Sequence, residues 1–464
     1  MSVRPVTSSL RSLIAPTDAP IGRFIADPYA CIRLRDLAAA SILAAPSETL
    51  HGRSVLLLAG RQLATALALA ELDGIAGRVV LCTQGLPPSH LQAIMEDAAT
   101  DTIVTDNPAL AQDIAGHRTI VPCHDRPIPR TASPDGAATT EWVLLTSGTT
   151  GRPKLAVHTL STLVGPLNDN LALGPAPVWS TFYDISRYGG LQILLRAFAG
   201  GASMVLSDAA EPVADFLRRA GANGLTHISG TPSHWRRALM AAAGGAMSPG
   251  YIRLSGEACD QAILDHLRQA WPHAAVAHAF ASTEAGVAFD VRDGLAGFPA
   301  ALLDHAPADV TIRIENGSLR VRSSRSALRL LGPGAPALRD AAGFVDTGDM
   351  IEVRGNRCYF AGRREGIINV GGLKVHPETI EAVINRHPAV HMSRVSGRPN
   401  PITGAIVVAE IVLTPSAAGS FAAIQAAILG HCRRLLAAHE VPVILREVPS
   451  LDVAASGKLL RRYG

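Results

Sequence analysis

At 464 residues, 48% of them apolar and 17% charged, the chain is too long for a single core and too apolar to be disordered. Its 42 basic and 39 acidic side chains leave a net charge of +3, so no electrostatic footprint for nucleic acid stands out, although a local pocket charge is left open. The six cysteines, Cys31, Cys82, Cys123, Cys259, Cys358 and Cys432, include no C-x-x-C pair, which argues against a zinc site or disulfide scaffold. Met1–Gly22 has no signal-peptide-like apolar segment, and no apolar run reaches the roughly 18 residues of a membrane span. A cytoplasmic protein without a membrane span is expected.

Taken in order, the first part of the chain, to about residue 25, mixes polarity and holds three prolines, which predicts irregular structure. Alternating α/β text follows: a strand Val55-Leu56-Leu57-Leu58, a helix Gln62 to Leu72, a strand Val79 to Cys82, a helix His90 to Ala98, then Ile103-Val104. Short apolar runs separated by helices predict a parallel sheet covered on both faces, with ligands at the carboxyl ends of its strands. A Ser/Pro/Gly/Ala/Thr connector, Ala132 to Thr140, leads to the apolar run Trp142-Val143-Leu144-Leu145. That strand delivers Thr146-Ser147-Gly148-Thr149-Thr150-Gly151-Arg152-Pro153-Lys154. Backbone N–H groups bared by glycine, hydroxyl donors and a lysine together suit a polyanion. The spacing is not that of the Walker loop, G-x-x-x-x-G-K-[ST].

Further α/β text runs from the helix Leu191–Phe198 to the strand Tyr251 to Leu254, with a helix Ser233 to Ala243 between. Past Asp309 the pattern turns to short β pieces, Val310 to Ile314 and Ser318 to Val321 around the hairpin pair Asn316-Gly317, then Met350 to Val353 and Cys358 to Phe360. The last hundred or so residues read as a small α+β unit: a helix Pro377 to Asn385, a strand Ala405 to Leu413, a helix Ile424 to Ala438 and a basic tail.

Four further stretches fall in order after the Thr146 loop: Phe280-Ala281-Ser282-Thr283-Glu284, Asp346-Thr347-Gly348-Asp349, Gly362-Arg363-Arg364-Glu365 running to Gly371-Gly372 and Pro377-Glu378, and Ser456-Gly457-Lys458. With these, the chain resembles the adenylate-forming (AMP-binding) superfamily of acyl- and aryl-CoA synthetases, amino-acid adenylation domains and firefly luciferase. The resemblance implies an α/β fold: a large N-terminal domain, 1–364, of parallel-type sheets covered by helices with a β-rich subdomain at about 309–361, and a small mobile α+β domain, 365–464. It implies an AMP-forming acid–thiol ligase. ATP and a small carboxylic acid give an acyl-adenylate and pyrophosphate, and the acyl group passes to CoA. Passing an amino or aryl acid to a carrier-protein phosphopantetheine or an amine is an alternative; with no carrier domain after Gly464, a carrier would be a separate protein. A catalytically quiet nucleotide-binding homologue is a second alternative, and a homodimer is left open.

By the same resemblance Thr146, Ser147, Gly148, Thr149, Thr150, Gly151 and Lys154 hold the β- and γ-phosphates, Thr283 contacts the α-phosphate and Glu284 holds Mg²⁺, whose hard charge suits a carboxylate. Phe280 stacks on adenine, with Gly256, Glu257 and Ala258 on its other side. Asp349 accepts from the ribose hydroxyls, helped by Arg363. Lys458 reaches the α-phosphate and carboxylate oxygens from the small domain. Glu365 is the hinge about which that domain swings to bring in the Gly371-Gly372 loop for the thiol step. The acid pocket falls on Tyr183, Asp184, His227, Gly230, Ala281 and Ser282. Asp184 either pairs with a substrate ammonium or caps a helix starting near Ser186. Taken singly, Glu284, Phe280, Asp349 and Lys458 read as solvated, core or turn residues; the ordered set reverses this. Three departures stand out: Leu155 and Ala281 replace the usual glycines, and Leu451-Asp452-Val453-Ala454-Ala455 replaces a Pro-Arg-Thr-like run.

Overall fold

The computed structural model of the chain describes residues 9–14, 22–83, 85–129, 138–146, 153–165, 176–241, 245–454 and 458–460. The loop residues Ser147 to Arg152, most of the Ala132–Thr140 connector, and Ser456 and Gly457 lie outside them.

Two eight-stranded sheets carry most of the chain. In one, the strands Ala275–Ser282, Tyr251–Ser255, His227–Gly230, Val178–Thr181, Ser203–Leu206 and Phe24–Ala26 run parallel, with antiparallel edges at Gly286–Val291 and Cys31–Arg33. In the other, Glu141–Thr146, Arg78–Leu81, Ser54–Leu57, Thr102–Thr105 and Thr119–Pro129 are parallel. Strand residues alternate between two cores, as a pleat demands. Val55, Leu57, Val79 and Leu81 point into a central layer, whereas Leu56, Leu58, Val80 and Cys82 face an outer one with the helices Pro88–Asp97 and Pro108–Ala115. The central layer is shared by both sheets and filled by the helices Gln62–Leu72 and Tyr188–Ala199. Every residue of Gln62–Leu72 after Gln62 is buried, Glu71 with its carboxylate accepting from Ser41 and Ile42, so the helix has no solvent face and suits a position between two sheets.

The irregular N-terminus expected from sequence contains a short helix, Leu10–Ile14. Leu10 and Ile14 stand one turn apart and both are buried, and Leu10 N donates to Asp73 Oδ2 at 2.7 Å while Trp142 Nε1 donates to Asp73 Oδ1 at 2.8 Å. Mixed polarity hid an amphipathic turn too short for periodicity to reveal.

Residues 298–363 form a five-stranded antiparallel sheet with its own core around Phe298, Val321 and Val345. Its Asn316-Gly317 turn has φ of 51° and 75°, which is the left-handed pair that a two-residue hairpin requires. After it, the helices Pro377–Ile384 and Phe421–Leu435 cover a three-stranded sheet of Val390–Asn400, Gly404–Leu413 and Ile444–Glu447, and all residues of this core lie between Ile368 and Leu445.

Candidate active site

The two residues that bound the Thr146 loop lie on an antiparallel pair of strands. Thr146 closes the strand Glu141–Thr146 and pairs directly with Lys154, which opens the return strand Lys154–His158. Thr146 thus stands at the carboxyl end of a strand parallel to Arg78–Leu81, and its partner Lys154 is exposed. Thr146 Oγ1 is buried and has no hydrogen-bond partner among the described residues. Leu155 lies opposite Leu145 on one side and Leu331 on the other, only 1% exposed. Where the resemblance would have a glycine, this chain puts a core side chain that anchors the return strand.

That strand ends on His158, fully buried. Its Nε2 lies 2.8 Å from the Thr283 carbonyl oxygen and its Nδ1 lies 3.0 Å from Thr162 Oγ1. Burial pushes the imidazole down to about 4, outweighing the Thr283 bond, so it is neutral, with Nε2–H donating to Thr283. Sequence reasoning missed His158. One apolar-flanked histidine carries no motif, and its partner is a backbone oxygen.

Thr283 and Glu284 follow the strand Ala275–Ser282, whose register shifts between Phe280 and Ala281. Ser282 Oγ accepts from Ala285 N at 3.0 Å and closes this turn. Among the described residues the Glu284 carboxylate accepts no hydrogen bond, although it lies close enough to act on both Arg363 and Lys458. Phe280 is half-buried and stacked on Phe360 at 5.2 Å and on Phe289 at 5.8 Å.

Asp349 and Arg363 are cross-strand partners at the end of the antiparallel sheet, with Arg363 Nη1 3.4 Å from Asp349 Oδ1. Burial raises the Asp349 carboxyl, against the opposing pull of Arg363 and Lys458. For Arg363, burial acts downward, but Asp349, Glu365 and Glu284 outweigh it and raise the guanidinium. Desolvation lowers the Lys458 ammonium; Glu257, Asp349 and Glu284 pull the other way and Arg363 adds to the lowering. The lysine keeps contact with water but stands in a crowded, charged cleft. Glu257 Oε2 accepts from Ser233 N at 2.9 Å and Oε1 from Leu459 N at 2.7 Å. The structure therefore brings Glu257, Glu284, Asp349, Arg363 and Lys458 to one point. A cavity of about 400 Å³ opens beside them, walled by Arg236, Glu257, Ala258, Phe360, His376 and Glu378.

The predicted pocket residues divide. Tyr183 is buried, its hydroxyl donating to the Ser255 carbonyl at 2.7 Å, and Gly256 follows at the strand's carboxyl end. Gly230 ends its own strand against Phe182, whose Cδ2 would lie 2.6 Å from an added Cβ. Asp184 Oδ1 accepts from Ser186 N at 2.8 Å, so the carboxylate closes the turn just before the helix Tyr188–Ala199. His227 opens the strand His227–Gly230, at the opposite end from Gly230, against Trp179 and Tyr251. Gly371 and Gly372, at φ 61° and 86°, make the exposed turn between Ile368–Val370 and Leu373–Val375. Glu365 is exposed in the turn Arg364–Gly366 that joins the antiparallel sheet to that hairpin. Among the described residues no cluster of three or more His, Cys, Asp or Glu could hold a metal by itself, and no helix is long and apolar enough to cross a membrane.

The family model described as "AMP-binding enzyme" matches residues 29–308, and that described as "AMP-binding enzyme C-terminal domain" matches residues 379–458. The 2-succinylbenzoate–CoA ligase of Salmonella typhimurium is 28% identical over 364 residues, which is 74% of this chain and 72% of that protein. The solved structure of an anthranilate CoA ligase in complex with anthranoyl-AMP has a TM-score of 0.82 at 18% identity, covering 98% of this chain and 96% of that one. An amide bond synthetase from Marinactinospora thermotolerans has a TM-score of 0.75 at 17% identity, with 97% of both chains covered. Both structures share the fold.

Proposed function

Because this chain belongs to the AMP-binding enzyme family, we propose that it activates a carboxylic acid with ATP and passes the acyl group to the thiol of CoA. The observation that carries the reading is the convergence of Lys458, Asp349, Arg363, Glu257 and Glu284 from sequence-distant segments on one cleft. In the first step a carboxylate oxygen bonds to the α-phosphorus and the bond to pyrophosphate breaks. In the second the sulfur bonds to the acyl carbon, the thiol proton is lost and AMP leaves.

Two anions meet in the first step, so cations and backbone donors must offset their repulsion. In this reading Lys154 and the loop Thr146 to Gly151 hold the departing pyrophosphate. Lys458 spans the α-phosphate and the acid, with Thr283 at the same phosphate. Asp349 and Arg363 fix the ribose, and adenine lies between the main chain of residues 256–258, whose Glu257 carboxylate is taken up by Ser233 N and Leu459 N, and the half-buried ring of Phe280. Glu284, with its carboxylate free of hydrogen bonds among the described residues, suits Mg²⁺, which binds through one or two carboxylates plus substrate phosphates. The metal would supply charge neutralisation there.

The division into 1–364 and 365–464 belongs to this proposal, as does a swing about Glu365 that exchanges Lys458 for Gly371-Gly372. A separate core confined to Ile368–Leu445 supports it. The acid is proposed to be an aryl acid, as in the Salmonella ligase named for 2-succinylbenzoate. Tyr183 and Gly230 would line its pocket, together with Ala281 and Ser282. A cytoplasmic location goes with this reading, since ATP and CoA are both consumed.

Return of labelled pyrophosphate into ATP, tested with aryl, acyl and amino acids, identifies the first substrate. Thioester formation on adding CoA identifies the acceptor. Exchange supported by an aryl acid is expected; exchange with none of the acids rejects adenylation. Exchange without thioester turns the second step toward a carrier thiol or an amine.

A further inference from the structure

Glu257 follows the strand Tyr251–Ser255 through a turn at Gly256, and its two carboxylate oxygens serve two backbone donors on different parts of the molecule. The first, Ser233 N, lies in the opening turn of the helix Pro232–Met240, where leading N–H groups have no acceptor within the helix. Thr231 Oγ1 already serves His234 N at 3.0 Å, and Glu257 serves Ser233. This bond ties the carboxylate to a rigid element. The second donor, Leu459 N, is 202 residues further along the chain and directly follows Lys458.

Other contacts point the same way. Of the charges acting on the Lys458 ammonium, Glu257 acts most strongly, ahead of Asp349 and Glu284. At Gly256, φ is +85° and an added Cβ would stand 3.5 Å from Lys458 Cε, so the turn leaves room for the lysine stem. The Lys458 segment is also held in its own unit. Ala454 N donates to Lys458 O at 2.8 Å, Leu460 N donates to Asp452 O at 2.9 Å, and Arg394 Nη1 donates to Leu460 O at 3.0 Å. Glu257 thus joins a fixed helix terminus to the backbone of a segment that the small unit carries.

We propose that Glu257 is a positioning residue: by docking the Leu459 amide it sets where Lys458 Nζ stands for adenylation, and this bond breaks when the small unit departs. The proposal rests on the function argued above. A charge-assisted bond to a backbone N–H reads the position of the main chain and not the identity of residue 459. Glu257→Ala therefore loses the register of Lys458 while the lysine itself remains.

The test uses the full chain and the acid identified by pyrophosphate exchange, comparing wild type, Glu257→Gln, Glu257→Ala, Lys458→Ala and the double variant Glu257→Ala/Lys458→Ala. Glu257→Ala should slow adenylation about 10- to 100-fold with the KM for the acid within about twofold, and should leave thioester formation from supplied acyl-adenylate within about twofold. Glu257→Gln, which keeps one accepting oxygen, should fall between. In the Lys458→Ala background the same change should cost less than about twofold, because residues acting as one unit are not additive. Hydrogen–deuterium exchange reads the dock without any activity: the Leu459 amide should exchange about tenfold faster in Glu257→Ala. Equal loss of both half-reactions, full additivity with Lys458→Ala, or unchanged exchange at Leu459 overturns the proposal. Wild type inert toward every acid, with Leu459 exchange still responding to Glu257→Ala, overturns the function reading and with it the catalytic part of the role, leaving only the contact.

Discussion

Lys458 is the residue whose chemistry can be separated most cleanly. A preorganised cation worth about 2.7–4 kcal/mol in a transition state corresponds to a 10²–10³-fold effect. Lys458→Ala is expected to lower acyl-adenylate formation by about that factor and to leave thioester formation from supplied acyl-adenylate intact. Single-turnover measurement of both half-reactions checks this, and parallel loss of both rules out the two-step assignment. Two buried histidines predict a pH dependence of folding. Burial lowers His158 to about 4 and His234 to about 3. Between the ordinary value near 6.5 and those depressed values the unfolded chain takes up protons that the folded chain refuses, so this contribution to stability is full above that value and lost as pH falls. The slope is up to about 1.4 kcal/mol per pH unit for each histidine. Urea midpoints should therefore drop between pH 7.5 and pH 5. His158→Gln, whose amide can still reach the Thr283 carbonyl, should flatten the profile by one proton. Glu284, Asp349 and Lys458, which the structure brings to one cleft, could be singled out in the sequence because each announces charge. His158 and the docking partner of Glu257 could not, because each interaction ends on a backbone atom and leaves no mark in the sequence. Leu155 was visible as an oddity, but its meaning lies across two strands, opposite Leu145 and Leu331.

Elements were legible where burial is one-sided or complete over several residues. Gln62–Leu72 was read to its last residue because an alanine- and leucine-rich run of that length has no other reading. The strand Val390–Asn400 was not read. Only its first half is buried, and Ser393, Arg394, Ser396, Arg398 and Pro399 interrupt any alternation. Its existence depends on Gly404–Leu413 beside it, a pairing that local propensity does not encode. The helix Tyr188–Ala199 offers a test at this scale. Gly190 lies in its first turn, and an added Cβ would sit 2.3 Å from the Asp184 carbonyl oxygen. Since backbone cannot rotate out of the way as a side chain can, Gly190→Ala must push the helix off the backbone of Asp184 and Ile185, next to Tyr183. Overpacking of this kind costs about 1–3 kcal/mol. A lower urea midpoint is expected, together with a raised KM for the acid as Tyr183 shifts. An unchanged KM would separate this segment from the acid pocket.

At the scale of the molecule, the proposed small unit meets the rest of the chain partly through polar bonds, which suits parts proposed to separate. Besides the Glu257 dock, Asp260 Oδ2 accepts from Arg236 Nη2 at 2.5 Å and from Asn385 Nδ2 at 3.0 Å, and Ser393 Oγ donates to Asn385 Oδ1 at 2.8 Å. The chain of bonds thus runs from the helix Pro232–Met240 into the helix and sheet of the small unit. All of its members belong to the arrangement in which Lys458 stands near Asp349, so weakening the chain should disfavour that arrangement without touching a reacting group. A net hydrogen bond contributes about 0.5–1.5 kcal/mol. Asn385→Ala should therefore shift the ratio of adenylation to thioester formation by about 2- to 13-fold toward the second step, the same energy expressed as a population. Asp260→Ala is the harsher variant, since it leaves the buried Arg236 without its carboxylate, and a lower thermal midpoint should accompany the same shift in ratio. If Asn385→Ala lowers both half-reactions equally, the polar chain supports folding alone, and the proposed alternation about Glu365 draws nothing from it.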